Sequence, residues 1–106
     1  MEKYKLSDFT KGWVVGDFEP TIIPTKDFEF MVREYKKGDK DARHVHKVAH
    51  EVTVFVSGVY KMNGVLVRKG DVIHLKPGTA SEFECIEDGA VAVIKTPSVK
   101  GDKYPV

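Results

Sequence analysis

Apolar residues in this chain either alternate with polar ones or gather in short β-branched runs. Nowhere do they recur at the three- and four-residue spacing of an amphipathic helix for more than about one turn. Residues 28–35 place Phe28, Phe30 and Val32 on one face of a strand, after which Lys36 to Asp41, with Gly38 inside, turn the chain. Residues 52–56 (Val-Thr-Val-Phe-Val) read as a strand ended by Ser57-Gly58. Residues 59–62 and 65–67 flank Asn63-Gly64, which predicts a two-residue type I′ hairpin because both turn positions need positive φ. A short strand at 72–75 is closed by Lys76-Pro77-Gly78, and strands at 81–86 and 90–95 flank a turn at Glu87-Asp88-Gly89. Residues 13–15 and 21–23 read as strands that Pro20 and Pro24 confine to sheet edges. The tail, 97–106, is polar and reads as extended or frayed. Short strands punctuated this often predict an all-β sandwich or barrel, one domain over residues 1–106.

Composition narrows the function classes. A chain of 106 residues has room for one core. Lys and Arg total 17 against 16 for Asp and Glu, a net charge of +1 that argues against nucleic acid or an anionic membrane as the main partner. The single cysteine, Cys85, excludes an internal disulfide and reads as a small buried hydrophobe. No segment reaches the roughly 18 apolar residues of a membrane-spanning helix. The N-terminus lacks the apolar run of a secretory signal, so the expected location is the cytoplasm. Nucleophile elbows, phosphate-binding loops and paired cysteines are all missing from the sequence. Trp13, Phe18, Phe28, Phe30 and Phe55 read as core or interface packing, and Lys95 and Lys100 as solvated.

The candidate chemistry lies in the histidines. There are four, and three of them, His44, His46 and His50, fall just before Glu51. On a strand, residues i and i+2 share a face, so His44 and His46 present two imidazoles side by side while Val45 faces away. Two imidazoles and a carboxylate form a ligand set for a first-row divalent metal. If the strand stays regular to residue 50, His50 shares that face, and a three-histidine site competes with one built on Glu51. The direction of His74, between Ile73 and Leu75, is open at this level.

Read outward, the spacing is Gly38, five residues, His44, one, His46, four, Glu51, six, Gly58. This resembles the first motif of the cupin superfamily, G-x5-H-x-H-x3,4-E-x6-G, at every position. The second motif, G-x5-P-x-G-x2-H-x3-N, is matched in part. Gly70 and Gly78 stand in place, Pro77 is one position late, Ser81 takes the place of the third histidine, and Cys85 that of the asparagine. Together with the intervening hairpin, the motifs span residues 38–85. The resemblance implies a small double-stranded β-helix, or jelly-roll barrel. It implies a divalent ion (Fe, Mn, Ni or Zn) held inside by His44, His46 and Glu51, with Ser81 lining the cavity. His50 is then a rim residue or an additional ligand, His74 is another candidate for an additional ligand, and His46, His50 and Glu51 are the catalytic candidates. It also implies a homodimer, with apolar strands such as 52–56 and the extended segment 13–25 as its interface. Three functions remain open: a metal-dependent oxygenase or isomerase on a small polar organic molecule, a non-catalytic binder of a sugar or organic acid, and a metal-free isomerase or epimerase.

Overall fold

A computed structural model describes all residues, 1–106. Ten strands form two five-stranded antiparallel sheets. The first has the order β1 (Trp13–Val15), β2 (Glu29–Tyr35), β9 (Gly89–Thr96), β4 (His50–Phe55), β7 (Val72–Leu75). The second runs β10 (Tyr104–Pro105), β3 (Lys40–Val45), β8 (Ala80–Glu87), β5 (Val59–Met62), β6 (Val65–Arg68). Helix is limited to two 3₁₀ turns, Leu6–Asp8 and Thr10–Gly12, and no helix is long and apolar enough to cross a membrane.

The period-two pattern decides which side chains meet between the sheets. Met31 and Tyr35 on β2, Thr53 and Phe55 on β4, Leu75 on β7, and Val91 and Val93 on β9 are buried and face Tyr60, Met62, Val67 and Cys85 of the other sheet. Phe55 and Tyr60 are 0% exposed, which makes them the centre of the core. The face that carries Phe30 and Val32 is the outer one; Phe28 precedes the strand and is exposed. The hairpin forms as expected, with Asn63 and Gly64 at φ 50° and 76°. Gly58, the last glycine of the first motif, sits at φ 89°, where an added Cβ would lie 2.8 Å from the Glu87 carbonyl oxygen and from the Gly89 Cα. Only a residue without a side chain lets β4 leave its sheet this close to the β8–β9 turn.

Two sequence expectations are corrected. Residues 21–23 are not a strand; they loop back on β1 through the Ile22 N–H to the Val14 oxygen and the Thr25 N–H to the Gly16 oxygen. With prolines on both sides the segment cannot offer a continuous ladder. Nor is the tail frayed. Ser98 and Asp102 are buried, and Tyr104–Pro105 pair with Val45 and His44. The Asp102 carboxylate accepts the N–H groups of Lys47 (2.8 Å), Val48 (3.2 Å) and Ala49 (2.9 Å), capping the turn that carries the chain from β3 to β4.

Candidate metal centre

His44, near the end of β3, and His46, just beyond it, are 8% and 6% exposed. Their rings meet edge to face, with centroids 5.1 Å apart and planes at 74°. Glu51 is the second residue of β4 and belongs to the opposite sheet. It therefore approaches across the barrel, and not from a strand paired with β3, which is where simple strand geometry would put it. Its Oε1 lies 3.9 Å from His46 Nε2. Ser81, 3% exposed, is the register partner of His44 on β8. His44, Glu51, Ser81, Thr53 and Asp41 line an interior cavity of about 50 Å³.

Backbone groups set the orientation of both rings. His44 donates its Nδ1–H to the Ala42 carbonyl at 2.8 Å, and His46 donates its Nδ1–H to the Asp102 carbonyl. With the proton fixed on Nδ1, Nε2 carries the lone pair in each ring, which is the tautomer a metal ligand needs. Burial lowers the pKa of His46, against the opposing pull of the Asp102 carbonyl, and so favours the neutral ring. Burial raises the pKa of Glu51, partly offset by the Lys95 ammonium.

No family model matches this chain, and no curated protein matches it in sequence. Solved structures do match in shape. A Klebsiella pneumoniae protein described as an uncharacterized conserved protein with a double-stranded β-helix domain superposes with a TM-score of 0.72 at 18% identity, over 95% of this chain and 94% of its own. An RmlC-like cupin from Shewanella frigidimarina gives 0.64 at 21%, over 73% and 71%. The chain has the cupin fold. Oxalate decarboxylase from Bacillus subtilis also matches, with a TM-score of 0.67 at 14% identity over 77% of this chain and 24% of that one.

His44, His46 and Glu51 are donors of the kind a divalent ion takes, and one pair of them stands at a spacing such an ion can bridge. Two donors each about 2.1 Å from one ion stand about 3.4 Å apart at the tetrahedral angle and at most about 4.2 Å apart. The 3.9 Å between His46 and Glu51 falls inside that span. The donors are grouped without being closed to ligating distance, since no three His, Cys, Asp or Glu side chains stand at metal-holding spacing. Ser81 contributes a neutral hydroxyl where an imidazole would complete the set.

His50 and His74 lie elsewhere. Both are exposed on the outer face of the first sheet, with His50 Nδ1 2.9 Å from His74 Nε2. The parity count from His44 to His50 fails because residues 47–49 are a crossover turn and not strand. His50 then alternates with inward Glu51, and His74 with inward Ile73 and Leu75.

Three residues of the site region had no motif to announce them. Asp41 comes from the segment read as a turn. A β-bulge between Asp41 and His44 lets it line the same cavity as His44. Asp102 supplies the carbonyl behind His46 from the far end of the chain, where no local signal exists. Lys95, expected in solvent, has its side chain 15% exposed, 3.3 Å from Glu29 and 4.8 Å from the centre of the Trp13 ring. Its signal was strand parity, because 95 shares a face with buried Val91 and Val93. In register across the first sheet, Glu29, Lys95 and Glu51 form one inward row. Lys95 also lines a cleft of about 360 Å³ with Trp13, Phe18, Glu29 and Lys103.

Proposed function

We propose that this chain is a metal-binding cupin whose His44, His46 and Glu51 hold a divalent ion of the Fe, Mn, Ni or Zn class, and that it takes a small organic acid at the mouth of the barrel. The observation that carries the reading is the pair of Nδ1–H bonds to backbone carbonyls, which leaves an Nε2 lone pair free on each ring, with that of His46 3.9 Å from the Glu51 carboxylate and His44 lining one cavity with Glu51. When bound, such an ion polarises a substrate oxygen or, if redox-active, activates dioxygen. The chain's own residues do the rest. Lys95, ion-paired with Glu29, offers its ammonium to a substrate carboxylate, and Trp13 and Phe18 supply an apolar wall to the cleft. Oxalate decarboxylase, among the proteins of similar shape, is named for a small carboxylate, which agrees with this class of ligand. Ser81 in place of a third imidazole favours a second reading, a non-catalytic binder of the same class of molecule that holds its ion loosely.

Elemental analysis of untagged protein tests the first half: near-stoichiometric metal is expected, and a His46→Ala variant should lose it. Metal content unaffected by His46→Ala overturns the assignment. Lys95→Met should keep the metal and weaken binding of oxalate or a similar acid by at least about tenfold, the loss of a partly buried charged hydrogen bond. Turnover of such acids separates enzyme from binder. We further propose that the chain is a homodimer joined through the apolar patch of Val54, Val72 and Ile94 on the outer face of its first sheet, with His50 and His74 at the open edge of that patch.

A further inference from the structure

A second pair of imidazoles stands outside the barrel, separated from the interior site by the thickness of the first sheet. His50 opens β4, and His74 lies on the adjacent antiparallel strand β7, where its direct partner is Val52. The two histidines are diagonal neighbours on the outward face, a spacing that ring side chains can bridge. His50 Nδ1 and His74 Nε2 are 2.9 Å apart, with the planes only 19° from parallel and the centroids 5.2 Å apart. One ring donates an N–H and the other accepts it with its lone pair.

We propose that His50 and His74 form an exterior chelating site for a divalent transition metal, Cu(II) in preference to Zn(II), with water in the remaining positions. The 2.9 Å between the nitrogens is the length of the hydrogen bond that joins the rings. An ion bound to both holds them about 2.9 Å apart when they are cis in a square-planar or tetragonal site and about 3.3 Å apart in a tetrahedral one, so chelation needs little change in their separation. For the exchange, the donating ring moves its proton to its other nitrogen, so both facing nitrogens present lone pairs and two neutral rings release no net proton. Both side chains are exposed, and the soft χ2 torsion of histidine lets the rings swivel toward a common point. Paired strands fix the backbone beneath them, so little order is lost on chelation. Among divalent ions, Cu(II) should bind most tightly. The neighbours in sequence, Glu51 and Leu75, point the other way, so occupancy outside does not draw on the ligands inside.

Copper titration of untagged, chelator-treated protein tests the site, with calorimetry for stoichiometry and electron paramagnetic resonance for nitrogen ligation. In a His46→Ala background, which disables the interior site, the protein should show one equivalent of Cu(II) with two-nitrogen hyperfine structure that adding His74→Ala or His50→Ala removes. Zn(II) should occupy the same site at least about tenfold more weakly. Both rings are exposed, so the outer substitutions should leave the fold intact, and an unchanged dichroism spectrum checks this. Copper stoichiometry unchanged on adding His74→Ala, or lost in only one of the two outer variants, overturns the chelate.

Discussion

At the scale of single residues, Glu51 and Asp102 show opposite balances of burial and hydrogen bonding. Glu51 is buried near Lys95 without a hydrogen-bond donor of its own, and burial raises its pKa. Its ionised form therefore costs stability in the metal-free protein. That cost is fully present above the raised pKa and gone below the ordinary value of about 4.5. Glu51→Gln should accordingly melt at a higher temperature than metal-free wild type at pH 7 while losing metal binding, and the gain should shrink in acid. For Asp102 burial pushes the pKa up, but the N–H groups of Ala49, Lys47 and Val48 outweigh it and the net shift is downward. Its contribution is complete above about 3.8 and is lost as the pH falls through the lower folded-state value. Asp102→Asn should cost roughly 1–3 kcal/mol near neutrality, and denaturation should show that difference closing in strong acid. Ser81→His would place an imidazole opposite His44, and competition with a chelator should show the ion held more tightly. An unchanged affinity would argue that position 81 does not face the ion.

At the scale of elements, the site depends on how β4 begins and ends. It begins at the turn capped by Asp102 and ends at Gly58, against the backbone of the β8–β9 turn. Gly58→Ala combines positive φ with contact to the Glu87 oxygen and should destabilise by roughly 2–4 kcal/mol in urea denaturation. The Asn63-Gly64 turn is open around Gly64, with nothing near an added Cβ, so Gly64→Ala should cost only its backbone strain, about 1 kcal/mol.

At the scale of the whole molecule, the outer face of the first sheet exposes Val54, Val72 and Ile94 at 39%, 59% and 39%, continuous across β7, β4 and β9. A contiguous apolar surface on a small barrel is a surface for association, and a two-fold contact would bury it against itself. Sedimentation at micromolar concentration should give twice the monomer mass, and Val54→Lys should return it to the monomer. A monomer in wild type would assign that face to another partner.

The period-two pattern made most strands legible, because a half-buried strand must alternate whatever it packs against, and the asparagine-glycine turn was legible because its backbone demands positive φ. The cupin resemblance was equally local, carried by His44, His46, Glu51 and the glycines around them. Tertiary structure decided what depends on distant chain. It put Glu51 in the opposite sheet, because residues 47–49 cross between sheets and break the parity count that had kept His50 in play. It drew the tail in, because the backbone donors of that crossover turn need an acceptor and Asp102 is the one that reaches them. It also sorted the four histidines into an inner pair and an outer pair. Alternation says that neighbours in a strand face opposite ways, but which of the two faces is the inside is settled only when a second sheet covers one of them.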